Sequence, residues 1–179
     1  DIWTEFPYRS LLARAAEVWR LAPDAEFLQR ITPRLDALAT WIVTARHADD
    51  ECGGEYAGLL PKHAYGGDIS TPARSLYANA ACWRGLEEVA RLWREAGDAD
   101  RASPLAGEAD ALRARLQRAV EQFADRSTQP PFVPMAVDLG ESGSEGWKRA
   151  EEPYPFLAAD PVGNYWSLFA PLLLETGVF

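Results

Sequence analysis

Carboxylates and aromatic residues crowd into two stretches of this sequence that carry no helical or strand periodicity. The first, residues 48–69, contains Gly58-Leu59-Leu60-Pro61-Lys62-His63-Ala64-Tyr65-Gly66-Gly67-Asp68. The second, residues 127–160, contains Glu141, Glu145, Trp147 and Tyr154. Two carboxyl groups facing each other across a cleft can perform general acid/base chemistry. An apolar surround or a neighbouring charge keeps one of them protonated while the other stays ionised. Asp68, in a glycine-rich turn, is the candidate acid, and Glu141 and Glu145 are candidates for the base. Each has a plainer role open to it as well. Asp68 can hydrogen-bond its own turn or the next helix start, and the two glutamates can be solvated in a Ser/Gly-rich connection.

The flat faces of Tyr65, Trp147 and Trp166 can stack on the C–H face of a sugar, although Trp166 lies in an apolar run that also reads as core. His63 can bond a sugar hydroxyl or be an ordinary loop imidazole. Arg74 follows Thr71-Pro72, which reads as a helix start: a hydroxyl cap, then proline at the first helical position. A cation in that first turn opposes the helix dipole, so Arg74 either has a carboxylate partner (Asp68 or a ligand) or stands exposed. Asp49-Asp50-Glu51 are adjacent, and neighbouring side chains diverge; this reads as a solvated acidic turn. Neither zinc spacing nor a glycine-rich phosphate loop occurs, and no cofactor or metal is expected.

The elements that must hold these residues are helical. Residues 8–21 are apolar around more than one face. In residues 24–46, Phe27, Leu28, Ile31, Leu35, Leu38, Ile42 and Ala45 form one stripe. Pro33 either kinks that helix or, with Thr32 as cap, begins a new one. From Thr71-Pro72 to about Ala96, ended by Gly97, the sequence is apolar all round at first, and Asn79 within it must find a partner for its amide. Ser103-Pro104 reads as the start of a narrow-striped helix through Leu112, Leu116 and Phe123. Asp160-Pro161 reads as the start of a third apolar helix. The pattern is buried, outer, loop, buried, outer, loop, buried. Both loops follow an outer helix, so if the helices run up and down they emerge at one end. The class is all-α, and the alternation fits part of an α/α toroid better than a bundle of equivalent amphipathic helices.

The stretch from Gly58 to Trp93 resembles the six-hairpin glycosidase superfamily, within it the trehalases and the N-glycan-trimming glucosidases. Tyr65-Gly66-Gly67-Asp68 is similar to the turn that carries the catalytic acid there, with Gly67 standing where an aromatic is usual. Ser75-Leu76-Tyr77-Ala78-Asn79-Ala80 is similar to the helix that follows. Asp160-Pro161-Val162-Gly163-Asn164-Tyr165-Trp166 looks like a tryptophan-bearing start of an inner helix. The resemblance implies an (α/α)6 barrel, a carbohydrate ligand and hydrolysis of an α-linked glucoside or related oligosaccharide. Inversion in such enzymes needs carboxyl groups about 6.5–9.5 Å apart. The alternative is a non-catalytic carbohydrate-binding or structural portion of a larger toroid.

The 179 residues carry a formal net charge of −9, which disfavours nucleic acid. No run of about 18 apolar residues is present to span a membrane. Cys52 and Cys82 make no disulfide framework, and a single bridge stays open. The sequence begins at Asp1 and ends on Val178-Phe179. Two and a half hairpins cannot close a ring, so the expectation is a single partial segment whose remaining hairpins lie in the same polypeptide or an associated chain. Compartment is not legible.

Overall fold

Capping side chains fix where the helices begin. The computed structural model describes residues 5–48, 54–63, 73–127, 129–138 and 169–179. Among these, the elements are α1 (Glu5–Leu21), α2 (Ala25–His47), β1 (Arg74–Ser75), α3 (Leu76–Glu95), α4 (Ala99–Phe123), β2 (Ala136–Val137) and α5 (Phe169–Glu175). The class is all-α. The Asp24 carboxylate accepts from the Glu26 and Phe27 amides at 2.8 and 3.2 Å and opens α2. α2 continues through Pro33 as one helix. Thr32 does not cap a new helix, because its hydroxyl donates back to the Leu28 carbonyl at 2.7 Å.

Two expected helix starts are displaced. Ala73, Arg74 and Ser75 are extended, and α3 begins at Leu76 with Ser75 as its cap, accepting from the Ala78 amide at 3.1 Å. Thr71-Pro72 therefore does not open α3, and Arg74 lies in a strand rather than in a helical first turn. Likewise α4 begins at Ala99, capped by Asp98 through the Arg101 amide at 3.1 Å, so Ser103-Pro104 lies inside the helix. Pro104 is exposed, so the carbonyl deprived of its donor there can be hydrated. α3 does end at Gly97, whose φ of +83° permits the closing turn. The Asp98 amide donates to the Trp93 carbonyl at 2.8 Å and the Gly97 amide to that of Arg94 at 3.2 Å.

α3 is the centre of the core. Leu76, Ala80, Cys82, Leu86, Val89 and Leu92 are fully buried, as are Leu112 and Leu116 of α4 and Leu12 and Ala16 of α1. Trp83 and Trp93 are buried as their spacing predicts. Each large aliphatic side chain so buried contributes roughly 1.5–3 kcal/mol of transfer free energy. α1 is less buried than its composition predicts: Leu11, Val18 and Leu21 are exposed.

Ion pairs reveal the relative directions of the helices. Asp36 of α2 lies 3.8 Å from Arg101 of α4, and Arg46, further along α2, pairs with Glu108, further along α4. α2 and α4 therefore run in the same direction. Arg14 and Glu17 of α1 line one cleft with Tyr77 and Arg84 of α3, and Arg20 pairs onward with Glu88 and Glu95. α1 and α3 are thus parallel too. The two hairpins α1–α2 and α3–α4 stack side by side in register, with like helices adjacent. α5 lies against α3, where the Glu175 carbonyl accepts from Arg84 at 2.7 Å.

Candidate functional site at the start of α3

The two loops singled out by composition meet at the N-terminal end of α3. β1 leaves the first loop and β2 the second, and they pair antiparallel with Arg74 opposite Val137 and Ser75 opposite Ala136. One residue further on, the Leu76 amide donates to the Met135 carbonyl at 2.9 Å. His63 and Ala73 also pair antiparallel, through backbone bonds of 2.9 and 3.0 Å. Among the described residues, residues 54–63 of the first loop and 129–138 of the second lie at one end, joined by a backbone clasp.

Buried polar side chains hold the first loop down. Asn79 is fully buried on α3; its side-chain oxygen accepts from the Leu60 amide at 2.9 Å and its side-chain nitrogen donates to the Ser75 carbonyl at 2.9 Å. This is the partner that an amide in an apolar helix requires. Arg115 of α4 donates to the Ala57 carbonyl at 2.7 Å and also to that of Glu55. Burial, with the positive charges of Arg118 and Arg74, pushes the Arg115 guanidinium below its ordinary value. Gly58 crosses this arginine at φ +78°, where an added Cβ would sit 3.5 Å from Arg115 Cγ. Tyr56 stacks on Phe123, with ring centroids 5.4 Å apart.

Arg74 is the hub. It is 7 % exposed. Its Nε donates to Asp138 Oδ2 at 2.8 Å, another guanidinium nitrogen donates to the Leu60 carbonyl at 3.0 Å, and its plane lies 5.3 Å from the centre of the Tyr56 ring. Lys62 Nζ approaches the other Asp138 oxygen at 2.8 Å. Among the described residues, Arg74 has a carboxylate partner in Asp138 of the second loop. Asp138 adopts φ +51°, a conformation that aspartate tolerates better than most residues. Burial opposes its negative charge, but hydrogen bonds and charge from Lys62 and Arg74 outweigh burial and hold its carboxyl below the usual range. The Tyr56 hydroxyl is pushed up to about 12, first by burial and then by Glu55 and Asp138, against the opposing charge of Arg74.

The contacts of these side chains hold the loops in place. Asp138 is locked ionised between two cations, the opposite of a poised acid. Of the residues nominated from sequence, His63 lies half-buried at the mouth of the clasp and Arg74 lies within it. Tyr65, Asp68, Glu141, Glu145, Trp147 and Trp166 lie outside the described residues, as does Cys52. Asp138, Lys62, Tyr56 and Arg115 were not anticipated. The available signal for Asp138 was a lone carboxylate between Val137 and Leu139, matched to an arginine in need of one.

Among the described residues, no group of three His, Cys, Asp or Glu side chains could hold a metal ion. No described helix is long and apolar enough to cross a membrane. No protein-family model, curated protein or solved structure matches this chain.

Proposed function

We propose that this chain is part of an α/α-toroid glycoside hydrolase. It hydrolyses an α-linked glucoside or related oligosaccharide, with Asp68 as general acid and Glu141 or Glu145 as the base. The observation that carries this reading is the convergence of both carboxylate-bearing loops on one end of two parallel, in-register helical hairpins. In this reading Tyr65, His63, Trp147 and Trp166 contact sugar, while Arg74 positions the loops from beneath.

The test is hydrolysis of a panel of α-linked glucosides by the polypeptide that carries this chain, alongside calorimetric sugar binding. Loss of a general acid removes about 10²–10⁴-fold of rate. Asp68→Asn is expected to cost that much while the far-ultraviolet circular dichroism stays unchanged. Hydrolysis that survives Asp68→Asn refutes the assignment of the acid, and a parent that neither cleaves nor binds any glucoside refutes the reading altogether. The pairing of ionised Asp138 with Arg74 and Lys62 favours a second reading, a non-catalytic carbohydrate-binding or structural portion of a larger toroid, for which binding without hydrolysis in the parent is the expected result.

A further inference from the structure

Beside the stripe each buries in the core, α1 and α2 carry a second apolar stripe that lines a groove between them, with Ala15, Ile31 and Leu38 touching the core at its floor. On α1 it is Leu11, Ala15 and Val18; on α2 it is Phe27, Ile31 and Leu38. At 3.6 residues per turn, each stripe lies about a quarter of a circumference from the stripe its helix buries, which is Leu12 and Ala16 on α1 and Leu28, Leu35, Ala39 and Ile42 on α2. The two stripes face each other across a groove of about 640 Å³. Leu11 is 45 % and Val18 52 % exposed. Along α2, from Phe27 to Leu38, the groove runs about 16 Å, the length of three helical turns. Its charge is one-sided. Among the described residues, Arg14 and Arg34 line it with no carboxylate, on a chain whose net charge is −9. Arg14 also reaches Glu17 beside the groove at 2.8 Å, and Arg30 covers the Phe27 ring at 5.7 Å.

An apolar trough of helical length edged by arginines matches the chemistry of one kind of occupant. We propose that the α1/α2 groove seats an amphipathic α-helix supplied from outside these 179 residues, apolar at i, i+4 and i+7 and flanked by carboxylates. The apolar stripe fills the trough between the two helices. The flanking carboxylates meet Arg14 and Arg34 at its edges, setting orientation and discriminating against basic helices. The inference uses only the groove and does not depend on the carbohydrate reading.

The probe is a fluorescent, side-chain-stapled helix of about 14 residues, with leucines at i, i+4, i+7 and i+11 and glutamates at the flanking positions. Its twin carries lysine in place of every glutamate. By fluorescence polarisation the acidic probe is expected to bind about tenfold more tightly than the twin. Arg34→Glu is expected to erase that preference, and Val18→Asp to abolish binding. Val18 and Arg34 are exposed, so both variants are expected to keep the parent's circular dichroism and urea midpoint. Equal affinity for the two probes, or binding indifferent to Val18→Asp, overturns the proposal. So does a concentration-dependent dimer, or adsorption to anionic phospholipid vesicles, that Val18→Asp abolishes while neither probe binds. In those cases the groove's occupant is a second copy or a lipid surface.

Discussion

Replacing Asp138 with asparagine removes one negative charge from the junction of the two loops and little else. Asparagine is nearly isosteric and tolerates the positive φ of this position, so backbone strain does not enter. Removing one partner of a buried ion pair costs about 3–5 kcal/mol when the survivor is stranded. Arg74 is not wholly stranded, because it keeps the Leu60 carbonyl and the Tyr56 ring, and the asparagine oxygen still accepts a hydrogen bond. The Lys62 arm of the pair is 40 % exposed and adds little. The expected loss is therefore about 2 kcal/mol, or roughly 4–8 °C in melting temperature. Amides secured by the clasp, those of His63, Ala73 and Leu76, are expected to exchange about 30-fold faster. The pH dependence supplies an internal control. The folded-state carboxyl of Asp138 titrates below its unfolded value, so its contribution is complete above about pH 4 and vanishes as the pH falls through the folded value. Urea unfolding of parent and variant is thus expected to differ at pH 7 and to converge as the pH falls below the folded-state value of Asp138. A variant as stable as the parent at pH 7 would refute the reasoning, as would a deficit that persists undiminished in acid.

Two further substitutions probe the same region. Asn79→Leu leaves the Leu60 amide unpaired in the core and is expected to cost about 2–3 kcal/mol, read as a lower urea midpoint. Tyr56, its hydroxyl pushed up to about 12, is expected to be the late component in an absorbance titration at alkaline pH, a component that Tyr56→Phe removes. Because the folded state holds this proton more tightly than the unfolded chain, Tyr56 contributes stability that is present below about pH 10 and lost as the pH rises toward 12. The Phe variant is accordingly expected to lose less stability over that interval.

Much of this architecture was legible locally, and the failures share one cause. The apolar circumference of residues 76–93, the Gly97 stop and the need of Asn79 for a partner all depend on side chains within a few residues of one another, and all are as expected. The two misplaced helix starts come from proline. Thr71-Pro72 and Ser103-Pro104 both offer a hydroxyl followed by proline, but Ser75 and Asp98 are the side chains that cap. Ser75 prevails because β1 must be extended to pair with β2, and that partner is separated from it by two whole helices. No local pattern announces such a pairing. The same separation hid Asp138. Arg74 signalled that it required a carboxylate, but the choice among many in an acidic chain was fixed only by the Arg74–Val137 register. The exposed face of α1 has the opposite origin, since composition showed how much of that helix is apolar but not how many neighbours share the burial.

The antiparallel pairing of β1 with β2 makes the path from Arg74 to Val137 a closed circuit, leaving and re-entering the molecule at adjacent points. Everything between, the whole of α3 and α4 with their connection, is a cassette whose two ends are about 5 Å apart. Such a cassette can accept insertions at its ends without stretching the rest of the backbone. Its ends are natural sites for circular permutation. An architecture that stacks like hairpins in parallel register can grow by this route, with each added unit bringing its own loop to the same face.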